Sequence, residues 1–335
     1  MFDFIPDYVF LFAFGLILLI KGGDWFVDAA SGIAKRFKLP ELLIGATVVS
    51  IGTTLPEVMT SAMDAAGGAG EIAYGNAIGS IICNTALIAA VTLSIKPAKA
   101  DRRTLIFPVC FFFGAALFYS ICAYAFGGFA RWTGILLLAA FVSYMVITVM
   151  NMLRDKDNSE PEEEKLECDM PEDGGSLLKD ILVLVGGAGV IAVGAHLLVD
   201  SATTIATVLG LPESVIGITV VALGTSLPEL VTAITALMKG HGSLSLGNII
   251  GANIFNLVLV SGVAVTLSPF PVPEKSYLFG LNSSLVLDIP VMLAVMGIMT
   301  LPAIIRGKLS RWQGFSLLFI YLAFTVIQFA FVKTA

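Results

Sequence analysis

Along this chain, stretches of about 20 residues with almost no charge follow one another, each long enough at 1.5 Å of rise per residue to cross a hydrocarbon layer roughly 30 Å thick. Reading apolar windows between charged or Pro/Gly breaks predicts helices over 8–29, 41–66, 72–94, 104–125, 132–151, 178–200, 212–238, 244–267, 284–304 and 312–332. Only 13% of the 335 residues are charged and 57% are hydrophobic, an imbalance that the wet surface of a soluble domain does not tolerate. The expected class is an all-α membrane protein of ten transmembrane helices. Met1 to Asp7 holds two aspartates and no Lys or Arg, unlike the basic start of a cleavable signal peptide, so the first apolar segment is expected to remain as a membrane helix.

Lys and Arg cluster in alternate connections, around residues 35–38, 96–103, 154–179, 239 and 306–311, while Arg131, Lys275 and Lys333 fall on the other side. By the positive-inside rule the first set is cytoplasmic and both termini face outward, in a multi-pass protein of the inner (plasma) membrane. The net charge of −6 comes mostly from the run Glu160 to Asp173, which reads as a solvated cytoplasmic loop. No basic patch suggests nucleic acid, and no obligatory protein partner is evident beyond the lipid bilayer itself. Cys83, Cys110, Cys122 and Cys168 lack the paired spacing of a zinc site or disulfide framework and are expected to be packing residues.

Residues 39–57 (LPELLIGATVVSIGTTLPE) return as 211–229 (LPESVIGITVVALGTSLPE) at an offset of 172, and Gly75-Asn76-Ala77-Ile78-Gly79 returns as Gly247-Asn248-Ile249-Ile250-Gly251. Arg131-Trp132-Thr133-Gly134 matches Arg311-Trp312-Gln313-Gly314 at an offset of 180. The expected organisation is a first five-helix repeat over 1–151, an acidic cytoplasmic loop over 152–177 and a second five-helix repeat over 178–335. Five helices is an odd number, so the second half enters the membrane upside down. Inverted repeats are a transporter architecture, with the substrate site at the repeat interface.

Glu57 and Glu229 sit inside apolar segments, where an ionised carboxylate costs about 3 kcal/mol or more unless compensated. Each follows a proline, and Pro56 and Pro228 cannot donate to the carbonyls of Gly52 and Gly224. A helix break is expected at each, with the glutamate in the first turn of the following half-helix, where the dipole favours a negative charge. Ser50, Thr53 and Thr54 supply oxygens to the first break, Thr225 and Ser226 to the second. Such oxygens suit Ca2+ and Na+, the expected bound and transported ions, with no resident cofactor. Asn76, Ser80 and Asn84 form a polar stripe at spacings of four, and the glycine pairs Gly75/Gly79 and Gly247/Gly251 allow close helix approach. Glu57, Asn84, Glu229 and Asn256 are thereby expected to meet at one centre. Singly, a kinked helix with one Glu is as often structural, and a lone intramembrane Asn is more often helix glue than a ligand; duplication of the whole constellation favours the site. For Asp28, Asp200, Asp288 and His196 the structural reading prevails, and Lys21 is expected to pair with Asp24.

These residues resemble the calcium/cation antiporter superfamily, in its prokaryotic sodium/calcium exchanger branch. The resemblance covers nearly the whole chain and is carried by Gly52 to Glu57 and Gly224 to Glu229, each followed by the motif at Gly75 to Asn84 and Gly247 to Asn256. It implies a sodium/calcium exchanger-like fold in which Glu57 and Glu229 are shared by Ca2+ and Na+ while Asn84 and Asn256 hold the other corners. It further implies that Thr54, Ser80, Thr225, Ser226 and the backbone of Ser50 and Ala222 complete the sodium sites. Ala252 stands where the family pattern has Ser, Ile81 where it has Asn, and Asn256 where many relatives, including potassium-dependent ones, carry Asp.

The implied function is secondary active antiport of Na+ for Ca2+, with helices one and six sliding over a rigid core; the protein would not be an enzyme. A H+/Ca2+ exchanger of the same fold is the alternative. An intramembrane hydrolase lacks a Ser/His or paired Asp constellation in repeated context, and a channel does not need inverted repeats with broken helices. With no acidic group at Asn256, Ca2+ exchange should proceed without K+. Vesicle uptake measured with and without external K+ tests this, and a strict K+ requirement would refute it.

Overall fold

The computed structural model describes residues 5–97, 101–158, 177–208, 222–273 and 276–334. Nine helices among them are long and apolar enough to cross a membrane. In chain order these are α1 (Ile5–Phe37), α2 (Glu41–Ala66), α3 (Gly70–Ile95), α4 (Arg102–Phe126), α5 (Arg131–Asn158), α6 (Leu177–Val208), α8 (Gly242–Leu267), α9 (Ser284–Arg306) and α10 (Arg311–Ala330). The remaining expected span, α7, is represented by Ala222–Thr225 and Leu227–Met238, since residues 212–221 lie outside the described residues. Most of the acidic segment 152–177, including Cys168, also lies outside them. Two short antiparallel sheets occupy connections: β1 (Gly128–Phe129) pairs with β2 (Phe270–Pro271), and β3 (Ser276–Leu278) lies between β4 (Leu281–Asn282) and β5 (Val332–Thr334).

Local chemistry explains several helix ends. Asp101 caps α4 by accepting from the Arg103 N–H at 3.1 Å, and Gly127 ends the helix in the left-handed region at φ 68°. Ser310 and Gln313 form a reciprocal capping box at the start of α10. Gln313 has a second task. Pro302 cannot donate to the carbonyl of Ile298, and Gln313 Nε2 donates to Ile298 O at 2.9 Å and to Met299 O at 3.0 Å. A backbone acceptor freed by proline inside the bilayer is thus satisfied from the neighbouring helix.

The two halves interlock by exchanging partners. A Cβ at Gly134 on α5 would stand 2.6 Å from Thr266 N and 2.9 Å from Gly262 O on α8. At the matching Gly314 on α10 it would stand 2.8 Å from Ser94 N and 2.7 Å from Ala90 O on α3. Thr266 and Gly262 are the 172-offset counterparts of Ser94 and Ala90. The last helix of each repeat therefore packs backbone to backbone on the third helix of the other. Arginines close both seams, Arg131 Nη2 donating to Leu267 O at 3.4 Å and Arg311 Nη2 to Ile95 O at 3.3 Å. Two inverted five-helix repeats account for this swap of equivalent contacts.

α1 and α6 pack on each other and share one hydrophobic cluster with Ile44 and Val49 of α2, Ala236 of α7 and Leu244 of α8. Their backbones meet where a Cβ on Gly15 would lie 2.8 Å from Gly194 O, and the reciprocal Cβ on Gly194 2.8 Å from Gly15 O. Phe26, Leu19 and Ile191 belong to a hydrophobic cluster separate from the larger core built on α3, α4, α8 and α9. Arg36 pairs with Asp180 across the seam at 3.2 Å.

Three expectations need correction. Asp24 pairs with Lys239 at 3.4 Å rather than with Lys21, which is exposed; Lys239, at the end of α7, also reaches Asp28 at 2.7 Å and so bridges two carboxylates. Cys110 is exposed on α4, while Cys83 and Cys122 are buried. The helices also overrun several expected ends: α1 reaches Phe37 instead of residue 29 and α5 reaches Asn158, through Lys35 and Arg36 and through Arg154 and Lys156, which are good helix formers; α6 reaches Val208 through a stretch without charge.

Because the atoms facing Gly134 and Gly314 include fixed backbone, Gly134→Ala and Gly314→Ala should each cost about 1–3 kcal/mol by overpacking. Gly114→Ala on α4, whose added methyl meets nothing within 4 Å among the described residues, should not destabilise. Thermal denaturation in detergent checks the contrast.

Candidate cation site

The first repeated proline does not break its helix. The segment Ser50–Ala66 of α2 runs as continuous α-helix through Pro56, and the irregularity comes about two to three turns earlier, as a π-helical segment over Gly45–Val49. A proline can be carried within a membrane helix when neighbours re-satisfy the freed backbone, so Glu57 lies mid-helix instead of in a first turn. The second repeat behaves as expected. α7 is interrupted at Ser226 (φ −93°, ψ 7°), Pro228 falls in the first turn of Leu227–Met238, and Glu229 lies in that turn at the positive end of the helix dipole.

Both glutamates are fully buried. Their carboxyl groups face each other, with the hydroxyls of Thr53 and Thr54 beside Glu229. Among the described residues, none of the four carboxylate oxygens finds a hydrogen-bond partner of proper geometry. Asn84 and Asn256 are equally buried, and neither the oxygen nor the nitrogen of either amide has a partner among the described residues. The same holds for Thr54 Oγ1 and for Ser226 Oγ, which sits at a cap position without capping. Buried polar atoms in proteins are nearly always partnered. Here ten unpartnered ones belong to six residues of the expected constellation.

Asn84 and Asn256 also share a backbone feature. Each opens a π-helical segment, Asn84–Ala89 in α3 and Asn256–Val260 in α8. The extra residue per turn re-aims side chains, and such segments concentrate at functional sites. The Asn84 segment packs against α7 and α8, and the Asn256 segment against α2 and α3, so each asparagine is delivered to the half that holds the other repeat's glutamate or its neighbour. Cys83, immediately before Asn84, lies beside Ser226 and Tyr321.

The other expected residues divide. Ser50 Oγ lies 2.8 Å from Gly45 O and 3.0 Å from Asn248 O, and Thr53 Oγ1 lies 3.3 Å from Asn248 Oδ1. Their hydroxyls tie α2 to α8, where Gly247 and Gly251 bring the backbones together: a Cβ on Gly247 would lie 2.0 Å from Leu42 O. Gly75 and Gly79 have no comparable neighbour among the described residues. Ser80 is buried one turn before Asn84; Ala222 and Thr225 bound the short first part of α7. Asn76 is removed from the expected ligand stripe, because its amide donates to Ser61 Oγ at 2.9 Å and to Glu57 O at 3.4 Å. Asp288 stays outside the constellation and accepts from Gln328 at 2.7 Å.

Sequence reasoning missed Asn248 and Asn253. Asn248 was signalled by its counterpart Asn76; Asn253 was signalled by the departure at Ile81, its own counterpart. Among the described residues, no three His, Cys, Asp or Glu side chains converge as a metal cluster, so the constellation offers two carboxylates surrounded by neutral oxygens. That donor set suits hard cations.

Comparison with known proteins follows the same lines. The family model described as "Sodium/calcium exchanger protein" matches residues 8–150 and 179–330. A sodium/calcium exchanger of Methanosarcina acetivorans is 34% identical, covering 94% of this chain and 96% of its own length. An uncharacterized membrane protein of Methanocaldococcus jannaschii is 36% identical, covering 93% and 94%. The solved structure of the sodium-calcium exchanger NCX_Mj soaked with 2.5 mM Na+ and 10 mM Sr2+ superposes with a TM-score of 0.78 at 33% identity, over 95% of this chain and 98% of that one.

Glu57→Gln and Glu229→Gln should each eliminate Na+-driven Ca2+ flux and leave folding intact, since each change removes a buried charge without changing volume. Flux into proteoliposomes, with circular dichroism and thermal unfolding as fold controls, provides the check. Normal exchange by either variant would exclude that carboxylate from the site.

Proposed function

The chain belongs to the sodium/calcium exchanger family and is a multi-pass membrane antiporter of Na+ and Ca2+, and we propose that both ions use one set of ligands centred on Glu57, Glu229, Asn84 and Asn256. The observation that carries this reading is the burial of every polar atom of those four side chains without a partner among the described residues. Ca2+ takes about six to eight oxygens. The two carboxylates, the two amide oxygens and the hydroxyls of Thr54 and Ser226 present that many. In this reading Thr53, Ser80, Thr225 and the backbone of Ser50 and Ala222 complete flanking Na+ positions. The protein carries its ions as cargo, without a resident cofactor and without chemical conversion.

The coupling rule follows from charge. One Ca2+ neutralises two carboxylates, and Na+ ions achieve the same only by occupying the same oxygens, so the two cargoes exclude each other. An unloaded site would leave uncompensated charge in a closed, low-dielectric space, which raises the barrier to reorientation. The reorienting element in this proposal is the α1/α6 pair, whose backbones pack on each other at Gly15 and Gly194. The remaining helices hold the ligands. The halves are assigned as 1–151 and 178–335, joined by an acidic cytoplasmic segment over 152–177, with both termini outside the inner (plasma) membrane.

Proteoliposomes loaded with Na+ and diluted into Na+-free medium at clamped pH should accumulate radioactive Ca2+. Accumulation driven by a pH gradient alone would establish proton coupling instead. Protons bind the same carboxylates, so acidification should weaken apparent Ca2+ affinity, and saturating Ca2+ should restore flux. Deleting residues 158–173 should preserve this inhibition; its loss would place the proton sensor in the acidic segment.

A further inference from the structure

Between α3, α8 and α9 lies a small polar network that the ligand set does not use. Asn253 Nδ2 donates to Thr85 Oγ1 at 2.7 Å and approaches Met296 Sδ at 3.1 Å. Thr85 Oγ1 lies 3.4 Å from the same sulfur. All three residues are fully buried. Thr85 directly follows Asn84 and belongs to its π-helical segment, while Asn253 precedes Asn256 by one helical turn. A side-chain bond thus joins the two asparagine-bearing helices beside both asparagines.

The repeat shows that this bond is not required simply to pack the crossing. At the 172-residue offset, Asn253 corresponds to Ile81 and Thr85 to Leu257. Both counterparts are fully buried in the larger core. One half of the pseudo-symmetric crossing has a polar pair and the other an apolar pair. Apolar side chains can fill such a position, so burying an amide and a hydroxyl there calls for a directional role.

We propose that Asn253 is a positioning residue for cation exchange. Through Thr85 it fixes the π-helical turn that presents Asn84, and through its own helix it fixes Asn256, so it sets the separation of the two amide corners. The inference rests on the ligand set above. Asn253 itself touches Thr85 and Met296, and acts through its neighbours.

The test uses the full-length protein in proteoliposomes, with half-saturating Ca2+ and Na+ and maximal flux measured for Asn253→Leu, Thr85→Val, the double variant and Thr85→Ser. Losing one buried hydrogen bond should raise half-saturating Ca2+ about fivefold in either apolar single variant. The double variant should be no worse than the more impaired single variant, and Thr85→Ser, which keeps the hydroxyl, should remain close to the unmodified protein. Unchanged half-saturation for both ions, additive losses, or lowered thermal stability with normal ion dependence would overturn the proposal. Should Asn253→Leu not yield folded protein, Thr85→Val against Thr85→Ser decides by the same criterion. Glu57→Gln run in parallel separates the readings: its retained flux would remove the ligand set, whereas its loss beside a normal Asn253→Leu would remove only the positioning role.

Discussion

Two carboxylates facing each other inside a membrane protein, without a hydrogen-bond donor of proper geometry or a counter-charge among the described residues, are the constraint around which this molecule is arranged. A buried acid needs partners that offset desolvation. Even the partly exposed acids here have them: Asp24 and Asp28 have Lys239, Asp180 has Arg36, and Glu41 has His241 at 2.7 Å. Glu57 and Glu229 have each other and the hydroxyls of Thr53 and Thr54 for neighbours, none of which carries a positive charge. In the proposed site the compensating charge is the cargo, which would link the energy of the empty protein directly to the exchange rule.

Holding like charges together requires a scaffold that cannot relax away from them. The glycine seams provide it. At Gly134, Gly314, Gly247 and Gly45, helix backbones approach so closely that even a methyl group collides with main-chain atoms. Packing of this kind has few alternative arrangements. The contact between Gly45 and Leu244 O also lies beside the π-helical turn that leads to Ser50, so the seam and the irregular backbone belong to one piece of construction. α1 and α6 meet closely at Gly15 and Gly194, and their hydrophobic cluster also takes in Ile44 and Val49 of α2, Ala236 of α7 and Leu244 of α8, so the pair is packed on the helices that carry Glu57 and Glu229.

Much of this was legible in the sequence because duplication amplifies weak signals. A single Pro-Glu in an apolar run has many explanations; two at a constant offset, each followed by a matching Gly-Asn motif, have few. The spans and the meeting of Glu57 with Glu229 follow from that pattern. What the pattern could not carry was divergence between the copies. Pro56 and Pro228 are identical in type and context, yet one sits within a helix and the other begins one. Their difference is decided by tertiary contacts, such as Asn248 reaching Ser50 and Thr53. The π-helical segments are equally hidden, since they depend on hydrogen-bond register rather than residue type. Lys239 escaped because its partners lie more than two hundred positions away, whereas Lys21 and Asp24 were close enough in sequence to suggest a local pair.

That divergence bears on how an inverted repeat can work. If both halves adopted the same conformation, their pseudo-symmetry would present the centre equally to the two sides of the membrane, and alternating access would be impossible. The halves must differ at any moment. Here Asn248 joins α8 to α2 across the repeats, while its counterpart Asn76 turns to Ser61 and the carbonyl of Glu57 within its own repeat. Glu57 stands mid-helix, and Glu229 at a helix start. The partners are not duplicated: Ser61 corresponds to Ala233 and Ser50 to Ala222, so the asparagines cannot exchange these hydrogen bonds, and the unequal pair Asn253/Ile81 adds another inequality to the crossing. The departures from repetition therefore hold each half to its own arrangement, against which any exchange of access has to work.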